Sequence, residues 1–205
     1  MNRRKALGGG LMLSTTAWIA PSVLALDRVA AATGSVATDI PVASGGATYI
    51  TPPATIAEGT PGLDSNTNTW VFQEVGPFTL TAGLAVNRVS AGSGFTGNSN
   101  ENATIPAGTQ ICSFYVHGDR LDDNGTLTGT MTFGNASIIG LIYRTAQLNS
   151  STYLQAPGTT YFNAPMEVSD LMWLDLTPGA NSLRWSMRFG PALDGIRVIT
   201  NCCAP

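Results

Sequence analysis

Between Thr126 and Phe133 the chain reads Thr-Leu-Thr-Gly-Thr-Met-Thr-Phe. Threonine stands at every second position, and Leu127, Gly129, Met131 and Phe133 fill the positions between. A helix, with 3.6 residues per turn, would scatter both sets around its axis, whereas a strand puts them on opposite faces. One wet face and one apolar face is the pattern of an antiparallel sheet lying on a core. The same period returns at Leu183, Trp185, Met187 and Phe189, which alternate with Arg184, Ser186 and Arg188. Phe78, Leu80, Ala82 and Leu84 repeat it again. In Ile111–His117 both alternating sets carry substantial side chains, and Ile138–Tyr143 is apolar throughout, which suits a strand buried inside the sandwich.

Shorter strand-like runs stand at Thr69–Gln73, Met172–Leu176 and Gly195–Thr200, with turn residues between them. Residues 91–102 read as a Gly/Ser/Asn loop, and residues 147–163 as a long loop or a short irregular helix. No long 3.6-residue period follows residue 32. Seven to nine short strands separated by turns predict an all-β sandwich or barrel.

The first 32 residues read as an export address. Arg3-Arg4-Lys5 precedes a largely apolar stretch from Ala6 to Ala20, and small residues offer cleavage after Ala25 or Ala32. Arg3-Arg4 with Leu7 resembles a twin-arginine signal, and an ordinary secretory signal is the alternative. Pro21, Ser22 and the glycines cut the apolar run short of the ~20 residues that a membrane span needs. The expectation is no stable span after processing and a location outside the cell or on its surface. Residues 33–68, rich in Pro, Gly and Thr, read as an extended lead-in with one short strand near Ala47–Thr51, and residues 69–205 as the sandwich domain. Cleavage after Ala32 removes Arg3, Arg4, Lys5, Arg28 and Asp27, leaving 12 acids against 6 arginines. Clustered Lys/Arg is what neutralises phosphates, so nucleic acid is excluded as an expected partner.

The run from Ala103 to Tyr143 and the closing Leu193–Thr200 together carry a resemblance. Their pattern is Gly108-Thr109, a strand ending in His117, the acidic turn Asp119–Asp123, Gly129–Phe133, Ile138–Ile142 and Leu-Asp-Gly-Ile-Arg-Val-Ile-Thr. It resembles a β-sandwich domain recurrent in exported bacterial proteins, many of which carry cell-surface sorting signals. The resemblance implies a jelly-roll-like antiparallel sandwich and export, and it implies no activity.

Candidate chemistry is sparse. His117 is the only histidine, and neither a Gly-x-Ser-x-Gly elbow nor a His-Glu-x-x-His motif is present, so no catalytic residue is assigned. Asp119, Asp122, Asp123 and Asn124 form an oxygen-rich turn that could hold calcium, with a solvated, backbone-capping turn as the alternative. Export permits a disulfide, and Cys112 could bridge to Cys202 or Cys203, closing a loop of about 90 residues worth ~4–5 kcal/mol. Tyr153 and Tyr161, in the loop region, are the candidates for stacking on sugar rings. The expected role is a non-catalytic, exported ligand-binding sandwich, with polysaccharide or a cell-wall component as partner. The alternatives are a self-assembling surface component and a secreted hydrolase using paired carboxylates.

Overall fold

The computed structural model describes residues 39–90, 92–96, 99–122, 125–161, 173–176, 181–189 and 194–201. They belong to one compact unit spanning Val36–Pro205. Residues 1–38, which include the expected signal, and Asp123, Asn124, Cys202 and Cys203 lie outside the described residues.

The fold is an all-β sandwich. Its first sheet is ordered β1 (Val42–Ser44), β9 (Gly125–Thr132), β13 (Ser182–Phe189), β12 (Trp173–Leu176) and β6 (Gly92–Phe95). The second is ordered β10 (Ile138–Ile142), β14 (Asp194–Asn201), β8 (Gln110–Gly118), β4 (Thr69–Thr79) and β2 (Ala47–Tyr49). All pairs in the two sheets are antiparallel except β2 with β4 at one edge. The connections β8 to β9, β9 to β10 and β13 to β14 each step from one sheet to the other, as in a jelly-roll-like sandwich.

The core follows the alternation. Leu127 and Met131 of β9 and Leu183, Trp185 and Met187 of β13 meet Cys112, Phe114 and Val116 of β8 and Ile196 and Val198 of β14 between the sheets. Trp185 lies directly opposite Gly129 and is fully buried. A Cβ on Gly129 would collide with the indole Cζ2 of Trp185, so the missing side chain is what admits the ring.

A second apolar cluster covers the other face of the second sheet. Phe72, Ile111, Tyr115, Ile142 and Ile199 pack there against a cap of small elements. The cap comprises β3 (Thr55–Ile56) beside β11 (Thr160–Tyr161), β5 (Leu84–Val86) beside β7 (Ala103–Ile105), the helix α1 (Thr145–Ser150) and the 3-10 turn Thr152–Leu154. This cap explains why β8 carries bulky residues on both faces and why β10 is apolar throughout.

Residues 42–56 differ from a free lead-in, because β1, β2 and β3 each pair with a strand of the domain. Their strands are only two or three residues long, so period-two alternation has no room to show.

Candidate functional site

The strongest concentration of ionisable chemistry lies beneath the cap. β4 carries a bulge where Gln73 faces Phe114 and Val75 faces Ser113, which leaves Glu74 as the extra residue. Its carboxylate turns inward and meets Arg197, a residue from the middle of the apolar strand β14. Glu74 Oε2 accepts from Arg197 Nε at 2.5 Å, and Oε1 accepts from Nη2 at 2.7 Å. Ser113 Oγ donates to Oε2 at 2.6 Å, and Tyr161 Oη donates to Oε1 at 2.9 Å. Arg197 Nη1 donates to the Ser151 carbonyl at 3.0 Å and to Ser151 Oγ at 2.5 Å.

Both side chains of the pair are 0% exposed. Burial opposes the Arg197 charge, but the Glu74 carboxylate outweighs it and raises the guanidinium pKa. Burial, and then the Glu74 charge, raise the Tyr161 phenol. The Glu74 carboxylate thus accepts four hydrogen bonds that tie β4, β8, β14 and the cap together.

His117 stands at the end of β8 on the same face, opposite Trp70 of β4 and Gly195 of β14. It is fully buried, and neither ring nitrogen has a hydrogen-bond partner. Burial alone lowers its pKa to about 4, so it is a neutral imidazole at pH 7.

The structure separates the acidic turn into different roles. Asp119 is 3% exposed; its carboxylate accepts the Gly59 N–H at 2.7 Å and its carbonyl accepts the Ser65 N–H. Burial, and then repulsion from Glu58 and Asp64, raise its pKa. Asp122 accepts two hydrogen bonds from Arg120, at 2.8 and 3.0 Å. Asp123 and Asn124 lie outside the described residues. Among the described residues no group of three or more His, Cys, Asp or Glu is placed to hold a metal.

The two tyrosines also part company. Tyr161 was expected at the surface and is 8% exposed, drawn into the second core by its bond to Glu74 and an edge contact with Tyr115. Tyr153 is 50% exposed, and its ring lies 6.0 Å from Phe78, tilted by 40°. Phe78 was legible only as one member of a strand alternation. Trp70, half-buried, donates its indole N–H to the Leu63 carbonyl at 2.6 Å. Cys112 is buried on β8, and Cys202 and Cys203 lie outside the described residues.

No protein-family model, curated protein or solved structure matches the chain. Among the described residues no helix is long and apolar enough to cross a membrane.

Proposed function

We propose that the protein is an exported, non-catalytic sandwich that binds a saccharide polymer or cell-wall component, with Tyr153 and Phe78 as its aromatic platform. The observation that carries this reading is the half-exposed Tyr153 ring, backed by Phe78 and so presented as a supported surface. Such a ring offers a sugar apolar area with little side-chain freedom left to lose on binding. The rival hydrolase reading needs two accessible carboxylates across a cleft. Of the buried acids, Glu74 is engaged by Arg197 and Asp119 by a backbone N–H, which favours binding.

Export is proposed from the Arg3-Arg4 head and from the resemblance to exported sandwich domains. A bridge from Cys112 to Cys202 or Cys203 is part of the same reading. Its support is the register, which sets Cys112 opposite Thr200, two residues before Cys202.

The test is co-sedimentation of the purified protein with insoluble polysaccharides and isolated cell wall. Retention on at least one of them, reduced tenfold or more by Tyr153→Ala, is the expected result. No retention on any of them, or equal retention of the variant, overturns the proposal.

A further inference from the structure

The segment Asp39–Ser44 is seated on the domain the way a bound peptide strand would be. Val42, Ala43 and Ser44 pair with Thr132, Met131 and Thr130 at the edge of the first sheet. Pro41 is buried and Ala43 half-buried, while Ile40 and Val42 are 57% and 70% exposed. Alternate side chains inward plus a main-chain ladder is the grammar of strand addition.

Its leading residue makes the most specific contact. The turn after β9 aims three successive backbone N–H groups, from Gly134, Asn135 and Ala136, at the Asp39 carboxylate, at 3.1, 2.5 and 2.6 Å. Such a nest is an anion site built from the main chain. Burial alone would raise the carboxyl's pKa, and the three N–H groups outweigh it and lower it.

The link to the rest of the fold is narrow. Gly46 is fixed to the body, its carbonyl accepting both the N–H and the Oγ of Thr69 at 2.8 and 3.1 Å. Gly45, at φ +63°, makes the reversal that lays β1 back against its own β9. β2, on the other side of the pair, belongs to the opposite sheet. Residues 39–44 leave by rotation at Gly45, which draws Pro41 and Ala43 off the first core and breaks the bond from Thr128 Oγ1 to the Gly45 carbonyl, contacts that an accepting copy restores.

We propose that residues 39–44 are an exchangeable strand, and that a second copy of this chain accepts it, so that Asp39 of one copy enters the Gly134–Ala136 nest of the other. The site fits that occupant by construction, since every copy carries the same segment and the same edge, and local contacts are unchanged by the exchange. Ile40 and Val42 are two of the five large hydrophobics exposed among the described residues. That concentration on one short segment points to a face covered when two hinges cross. The inference is independent of what the aromatic pair binds.

The test measures mass in solution by light scattering, with hydrogen exchange at residues 134–136. Gly45→Pro forbids the positive φ and holds the hinge extended, and it should convert the protein to a dimer with those three amides still protected. Gly45→Ala is the milder variant, in which a left-handed alanine weakens self-docking by about tenfold per hinge and raises the dimer fraction accordingly. Adding Asp39→Ala to Gly45→Pro should return the protein to monomer and expose the three amides. A folded Gly45→Ala that stays as monomeric as the parent at high concentration overturns the proposal. So does a Gly45→Pro dimer that survives Asp39→Ala unchanged.

Discussion

His117 makes the sharpest stability prediction, because it is the only histidine in the chain and lies wholly buried with both ring nitrogens unpaired. Its folded pKa is about 4 against an ordinary 6.5. Above pH 6.5 both folded and unfolded chains carry it neutral, and it contributes no pH dependence. As pH falls below 6.5 the unfolded chain takes up a proton that the folded chain refuses, so stability is lost. The loss approaches ~1.4 kcal/mol per pH unit and totals about 3 kcal/mol by the time pH reaches the folded pKa. About 2 kcal/mol of it falls between pH 6.5 and 5, above the ordinary range of carboxylates.

Asp119 acts in the opposite sense. Its raised pKa means the folded chain holds a carboxyl proton more tightly than the unfolded one, so acid partly relieves it. In the register around His117 stand Trp70 and Gly195, neither of which carries charge. Urea unfolding at half-unit steps from pH 7.5 to 5 should show the fall in the parent protein, and His117→Leu should flatten it. Equal slopes for the two proteins over that range would refute the reasoning.

Three further outcomes follow from the interior and the surface. Replacing one partner of the buried pair, as in Arg197→Met or Glu74→Gln, should cost ~3–5 kcal/mol in urea unfolding, because the other charge or its donors are left unpaired. The double variant Glu74→Leu/Arg197→Met should lose less than Arg197→Met alone. Gly129→Ala should lower stability by about 1–3 kcal/mol, since its Cβ meets the fully buried Trp185 ring, and a thermal melt unchanged within a degree would contradict this. Tyr153→Ala should leave the melting temperature within about 2–4 °C of the parent, a change of ~1 kcal/mol at most for a half-exposed ring, while reducing polysaccharide retention.

The long strands were legible because their alternation meets a core on one side. β9 and β13 show it most plainly, with threonine, serine and arginine outside and Leu127, Met131, Leu183 and Trp185 inside. β8 shows weight on both faces in the sequence, but the elements that cover its second face leave no such mark. β3 and β11 are two residues each, too short for any period, and they pair in parallel across more than 100 residues of chain. The ion pair was hidden for the same reason, since Glu74 and Arg197 are 123 positions apart. A signal existed nonetheless: one arginine inside the otherwise apolar strand Ile-Arg-Val-Ile has to find a buried acid. Asp119 sits in a polar turn that reads as solvated, and it is buried because the Gly59–Ser65 loop folds over it through bonds that no local pattern encodes.

We propose that recognition resides on Tyr153 and the half-buried Phe78 beside it, while the ionisable interior holds the fold. It is tested most directly by mapping amide chemical-shift changes as a soluble oligosaccharide, cut from whichever polysaccharide retains the protein, is titrated in. The account predicts that the largest changes cluster around Phe78 and Tyr153, with Glu74, Arg197 and His117 unmoved. Changes centred on Glu74 and Arg197, or on a region remote from Tyr153, would contradict it.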